Sequence, residues 1–150
     1  MASAIDVASY ILTRLGPMTA MKLQKLVYYG QAWSLVWDEE PLFPERIEAW
    51  ANGPVVPCLY DLHRGKFRVD QSSIPNGDPS RITEQQRGTV DAVLDFYGHH
   101  TAQWLSDLTH LEAPWRETRA AAGVSDGEPC SEEITLAAMA EYYGNLPPAR

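Results

Sequence analysis

The sequence predicts a single, mainly α-helical domain over residues 1–150, with about six short helices and a small β element near residues 43–51. The length fits one hydrophobic core, and the composition, 45% hydrophobic and 21% charged, is ordinary for a globular protein. Apolar residues recur every three or four positions along most of the chain, which is the spacing of one helix face. Turn-forming residues separate these stretches.

Two helices are predicted at the start of the chain. The apolar residues of segment 5–15 lie near helical spacing, and Gly16-Pro17 ends the run. Thr19 can cap the second helix, whose apolar stripe runs from residue 23 to Trp37. Gly30 lies on this stripe, where glycine costs about 1 kcal/mol relative to alanine. We expect a close crossing by another helix to compensate for that cost.

The pattern changes after residue 42. Residues 47–51 alternate in the manner of a short strand, which the turn at Asn52-Gly53-Pro54 closes. Val55–His63 is predicted to be a helix entered through a proline. The stretch Arg64–Ser80 is polar and rich in turn residues, and Ile74–Pro79 within it is predicted to be an exposed loop.

The remainder is predicted to be helical. Thr83 with Gln86 forms a capping box for one helix, and Thr101 can cap the next, in which Trp104 is expected to face inward. A further helical turn restarts at Pro114. The last helix is expected to begin after Ser131 and to end at Gly144, with residues 145–150 as a frayed tail.

The charge distribution limits the classes of partner. The formal net charge is −8, which makes nucleic acid an unfavourable partner because its phosphates would be repelled at long range. A basic helix that could read a DNA groove is also missing. An acidic surface suits a basic protein partner, and it suits solubility equally well.

The sequence also indicates a location. The segment Met1–Leu15 is too polar for a signal core, and no apolar run approaches the roughly 20 residues that span a bilayer. Cys58 and Cys130 have no neighbouring cysteine. We therefore expect a cytoplasmic protein with reduced thiols and no contact with a membrane.

No arrangement of residues indicates catalysis or cofactor binding. A zinc site needs three or four ligands, and the five-residue spacing of Cys58 and His63 misaligns them on a helix. Glycine-rich loops of the phosphate-binding types do not occur. We expect no catalytic residue, no metal, no cofactor and no enzymatic activity, although an enzyme acting on a small molecule stays an alternative.

Certain charged, polar and aromatic side chains stand out on otherwise ordinary elements, and we assign them to partner binding: Lys22, Lys25, Tyr29, Trp50, Asn52, His110 and Trp115. Each has a structural alternative. The two lysines can cover a core helix with their stems, the Asn52 turn can be a tight corner, and His110 can bond a free carbonyl at a helix break.

Three blocks of the sequence resemble the Panacea domain, also called the SocA-like domain. They are Met18–Tyr29, Ile47–Val56, and Leu105–His110 followed by Pro114-Trp115. The blocks keep the family's order, and the resemblance extends over residues 5–120. It implies an antitoxin encoded beside a toxin. The family is paired with toxins of many unrelated kinds, including alarmone-synthetase-like enzymes that stop translation.

The resemblance leaves the mechanism open. An antitoxin can neutralise its cognate toxin by direct binding, which is our first hypothesis. It can also act as a proteolytic adaptor that delivers the toxin to a cellular protease, as is known for SocA. A tryptophan-rich acidic domain of this kind can in addition form a homodimer.

Overall fold

A long helix through the interior organises the structure. In the computed structural model, which describes residues 2–146, helix α2 buries 12 of its 18 residues. It packs against four of the other six helices: α1, α4, α5 and α7. Within residues 2–146 the seven α-helices are α1 (Ala4–Leu15), α2 (Ala20–Trp37), α3 (Pro57–His63), α4 (Glu84–Tyr97), α5 (Ala102–Leu111), α6 (Ala113–Ala121) and α7 (Leu136–Gly144). The mainly α-helical fold class is therefore confirmed.

Side-chain caps fix most helix starts, because the first amides of a helix have no partner within it. Thr19, Thr83 and Thr101 accept hydrogen bonds from the first turns of α2, α4 and α5, as predicted. Gln86 completes the capping box of α4. Among residues 2–146, no helix has the length and apolar character needed to cross a bilayer.

Two small antiparallel sheets complete the fold. Their strands are β1 (Met18–Thr19), β2 (Ile47–Trp50), β3 (Gly53–Val55), β4 (Arg68–Val69) and β5 (Glu133–Ile134). One sheet has the order β3-β2-β5, with Trp50 opposite Gly53 and Ile47 opposite Ile134. The other pairs β1 with β4. The predicted β element near residues 43–51 is therefore present, as strand β2.

The start of the last helix was predicted wrongly. Thr135 caps α7, and Ser131 lies four residues before that cap. Residues 133–134 instead pair with β2, and Ile134 is 1% exposed. This long-range pairing holds the backbone extended, so that the helix begins later. The predicted end at Gly144 is confirmed, and residues 147–150 of the predicted tail lie outside the described residues.

The predicted exposed loop Ile74–Pro79 is only partly exposed, and it is attached to the core together with the residues before it. Val69 pairs with Met18, and both Val69 and Ile74 are buried. The backbone amide of Asp78 donates a hydrogen bond of 2.9 Å to the buried Asp6 carboxylate of α1. Buried apolar side chains and this hydrogen bond therefore attach the segment to the core.

Two buried glutamines of α2 bind the backbone of the segments that precede β2 and follow β3 in the sequence. Gln24 accepts from the Val56 amide at 2.9 Å and donates to the Val56 carbonyl at 3.3 Å. Gln31 accepts from the amides of Leu42 and Phe43 at 2.7 and 3.3 Å, and it donates to the Phe43 carbonyl at 2.9 Å. These side chains replace the strand or helix partners that the two segments lack.

Gly30 allows a close approach to α2, as predicted, but the approaching element is not the helix that we expected. A Cβ at this position would lie 3.2 Å from Cδ2 of Leu42, which belongs to the segment that Gln31 binds. The close crossing is therefore made by a loop and not by another helix.

Replacing Gln31 by leucine should destabilise the fold strongly. The variant keeps the approximate volume but leaves the buried amides of Leu42 and Phe43 without an acceptor. We expect the free energy of unfolding to fall by about 2–4 kcal/mol, since each buried unsatisfied group costs about 1–3 kcal/mol. Gln103→Leu on the exposed side of α5 is the matched control. Equal stability of the two variants in urea unfolding would contradict this account.

Candidate functional site

Five of the seven residues assigned to partner binding meet at the turn between β2 and β3. We call this group the turn cluster: Lys25, Trp50, Asn52, His110 and Trp115. Lys22 and Tyr29 lie elsewhere along α2. The prediction that these seven residues bind a partner stays a prediction, but the structure shows what each of them contacts.

Lys25 is fully buried beneath the turn. Its side chain is 0% exposed, and its Nζ has no hydrogen-bond partner among residues 2–146. Gly53 covers it with a φ of 125°, and a Cβ at Gly53 would lie 2.5 Å from Cε of Lys25. Burial lowers the pKa of Lys25 from 10.5 to about 7. The amine therefore does not reach the surface, in contrast to the lysine stems expected from the sequence.

His110 and Trp115 attach α5 and α6 to the turn. Their rings stack with centroids 3.9 Å apart, and the Trp115 indole donates a hydrogen bond of 2.8 Å to the Trp50 carbonyl. Burial lowers the pKa of His110, while a hydrogen bond with the Asn52 backbone raises it. The contact that the structure shows for the His110 ring is its stacking on Trp115. Its Nε2 is buried without a partner among the described residues.

The seven assigned residues differ in exposure. Lys25, Tyr29 and Trp115 are at most 5% exposed and offer almost no surface to a partner. The other four are partly or fully exposed: Lys22, Trp50, Asn52 and His110. A partner could contact this second group without a rearrangement of the core.

A second candidate site lies on another part of the surface, where the ends of α2 and α4 meet α5. This cavity of about 520 Å³ is lined mainly by aromatic and aliphatic side chains. We call it the aromatic groove and define it by Trp33, Trp37, Phe96, Tyr97, Trp104 and Glu112. Trp37, Phe96 and Trp104 are 49%, 60% and 41% exposed. Sequence periodicity placed Trp37 on the apolar stripe of α2 and predicted that Trp104 faces inward. The structure corrects this, because both side chains are partly exposed.

Contacts within the protein hold the groove in shape. The Trp33 indole donates a hydrogen bond of 2.9 Å to the Tyr97 hydroxyl and stacks on Trp37. Tyr97 stacks on Tyr29 with ring centroids 4.1 Å apart, and Trp104 stacks on His100. Tyr29 therefore supports the groove from beneath.

A carboxylate lies at the floor of the groove. Glu112 is 7% exposed, and its Oε1 accepts hydrogen bonds of 2.7 Å from both Tyr29 and Tyr143. Burial raises the pKa of Glu112, and the two hydroxyl donors oppose that shift. No local pattern marks this residue, since it is one of 20 acidic residues. The five tryptophans in 150 residues were the available sign of an aromatic surface.

Cys58 and His63, which the sequence led us to consider as metal ligands, do not form a metal site in the described part of the chain. Burial raises the pKa of Cys58 to about 11, so that its thiol stays protonated and weakly nucleophilic at neutral pH. His63 contacts Gln24 at 2.9 Å. In the part of the chain that the structure describes, no group of three or more histidine, cysteine, aspartate or glutamate side chains could hold a metal ion.

The fold and the groove have the features of a small helical binding module. The chain belongs to the family described as antitoxin SocA-like, Panacea domain, whose match covers residues 23–116. The matched segment includes most of α2, the turn, α4, α5 and Glu112, and thus most of both candidate sites. Family membership supports an antitoxin role in general terms and suggests a non-enzymatic protein. No curated protein and no solved structure matches the chain.

The buried amine of Lys25 should make stability depend on pH. Between its native pKa of about 7 and its ordinary 10.5, the unfolded chain binds a proton that the native protein does not. Stability should therefore rise with pH across this window, by up to about 1.4 kcal/mol per pH unit. Below pH 7 Lys25 is protonated in both the native and the unfolded protein, and burial of its charge then destabilises the native protein to the full extent.

Lys25→Met removes this titration and should be the more stable protein at pH 7. From pH 7 to pH 8.5 its advantage in the free energy of unfolding should shrink by about 1.5 kcal/mol, measured by urea unfolding with tryptophan fluorescence. Burial and, to a lesser extent, Lys25 lower the pKa of His63 and of His110, but both histidines have a pKa below 6.5 and are already mostly neutral in this window, so the difference reports mainly on Lys25. Lys22→Met, at a partly exposed position on the same helix, is the control and should show a much smaller change. Parallel pH profiles for Lys25→Met and the original protein would contradict this prediction.

Proposed function

We propose that this protein is an antitoxin that neutralises a cognate protein toxin by binding it directly through the aromatic groove. One observation carries the proposal: three aromatic side chains between 41% and 60% exposed line a single groove. Family membership supports the antitoxin part of the proposal. The resemblance also implies that the toxin can be one that stops translation.

Energetics favour a partner for this surface. Large apolar side chains grouped on a surface mark sites of protein interaction, because leaving them in water is unfavourable. Tryptophan is enriched among the residues that dominate binding energy at interfaces. Burying Trp37, Phe96 and Trp104 against a toxin would therefore supply much of the affinity.

The groove is also prepared for binding. Stacking and the indole–hydroxyl hydrogen bond already fix Trp33, Tyr97 and Trp104. Little side-chain entropy is then lost when a partner docks, and this raises affinity. The net charge of −8 would speed association with a basic toxin.

Removing the exposed aromatic rings should abolish protection. We expect Trp37→Ala combined with Phe96→Ala to weaken toxin binding by about 30-fold or more, because such contacts contribute about 2 kcal/mol or more at interfaces. The test is co-expression with the toxin encoded beside this protein, scored by growth and by co-purification. The matched control is Phe67→Ala, which removes a ring that is 80% exposed and lies outside the groove.

The outcomes separate the alternatives. Loss of binding in Phe67→Ala, with full binding in the double variant, would place the partner near the turn cluster, since Phe67 and Asn52 line the same depression. Toxin half-life is measured in parallel. A protease-dependent fall in toxin level, in place of a stable complex, would identify an adaptor and overturn direct neutralisation.

A further inference from the structure

The aromatic groove has a carboxylate with unused hydrogen-bonding capacity. Both tyrosine hydroxyls that reach Glu112 donate to Oε1. No hydrogen bond among residues 2–146 ends on Oε2, and no ion pair of this part of the chain includes Glu112. Two side-chain atoms of the described residues are buried without a hydrogen-bond partner, Lys25 Nζ and His110 Nε2. Glu112 Oε2 is not one of them, so it keeps contact with solvent. The groove therefore offers an acceptor as well as an apolar wall.

This acceptor restricts what can fill the groove. A purely apolar occupant would remove the remaining water from Glu112 and leave a buried charge without a partner, which is strongly unfavourable. A cationic group would neutralise the carboxylate and donate hydrogen bonds to its free oxygen. The electrostatics at the floor therefore favour a cation.

The walls favour the same class of ligand. Trp33, Trp37 and Trp104 are indoles, and indole faces attract cations more strongly than other aromatic rings. A guanidinium is planar, weakly hydrated and able to stack on an aromatic ring while its N–H groups donate to a carboxylate. An ammonium is more strongly hydrated and loses more on entering an apolar groove.

We propose that the aromatic groove and Glu112 form a binding site for an arginine side chain that the toxin presents. The guanidinium stacks on the indoles and donates to Glu112 Oε2. The inference rests on the proposed function for the identity of the partner, but the chemistry of the site can be tested without a toxin. The net charge of −8 adds to the attraction of the domain for such a residue.

The five tryptophans give a direct readout, because three line the groove and Trp50 and Trp115 do not. The indole N–H signals of the nitrogen-15-labelled protein are followed by NMR during titration with N-acetyl-arginine methylamide. The neutral isostere N-acetyl-citrulline methylamide is the matched control. We expect the arginine probe to shift the three groove signals and to bind at least about five-fold more tightly than the citrulline probe.

Two variants test the assignment. Glu112→Gln keeps an acceptor for both tyrosine hydroxyls but removes the charge, and it should abolish the preference for arginine over citrulline. Trp104→Ala alters an exposed ring away from the buried network, and it should weaken arginine binding several-fold. The unchanged signals of Trp50 and Trp115 report that each variant is folded.

Equal binding of the two probes would overturn the proposal, as would arginine-induced shifts centred on Trp50 and Trp115. An undiminished preference in Glu112→Gln would do the same. If Glu112→Gln fails to fold, arginine binding that is unchanged in Trp104→Ala still overturns the proposal. None of these results bears on whether a toxin co-purifies, so failure of the arginine site and failure of direct neutralisation can be told apart.

Discussion

Helix α2 is buried on most of its surface, and this burial determines how the elements around it are held. Polar side chains on a buried helix need partners inside the protein, because water does not reach them. Gln24 and Gln31 meet this need by binding the backbone of the segments that follow β3 and precede β2, and Tyr29 does so by donating to Glu112. Lys25 is the exception: its amine is buried without a hydrogen bond among the described residues.

The same helix connects the core to the proposed binding surface. Its buried middle provides Tyr29, which holds Glu112 and supports Tyr97, while its last turns leave the core and present Trp33 and Trp37. The shape of the groove is therefore fixed by core contacts and not by a flexible loop. A surface of this kind can bind without first being ordered, and a change in the core beneath it should be felt at the groove.

Local signals in the sequence predicted much of the fold. The caps at Thr19, Thr83 and Thr101 and the strand ending before Asn52 depend on neighbouring residues, and the structure confirms them. The predicted start of α7 failed because pairing of Ile134 with Ile47 is a contact between distant parts of the chain. Periodicity placed Trp37 and Trp104 on apolar stripes but did not reveal that the elements within residues 2–146 leave both partly exposed. Glu112 was missed since its environment is assembled from α2, α7 and the α5–α6 junction.

In the proposed complex the preformed aromatic groove, and not the turn cluster, receives the toxin. Amide hydrogen exchange of the protein with and without its toxin tests this most directly, because it locates the contact surface without any substitution. We expect slower exchange in the complex over the end of α4 and over residues 102–112, with unchanged exchange at residues 48–56. Protection concentrated at residues 48–56, with the groove exchanging at its free rate, would contradict the account.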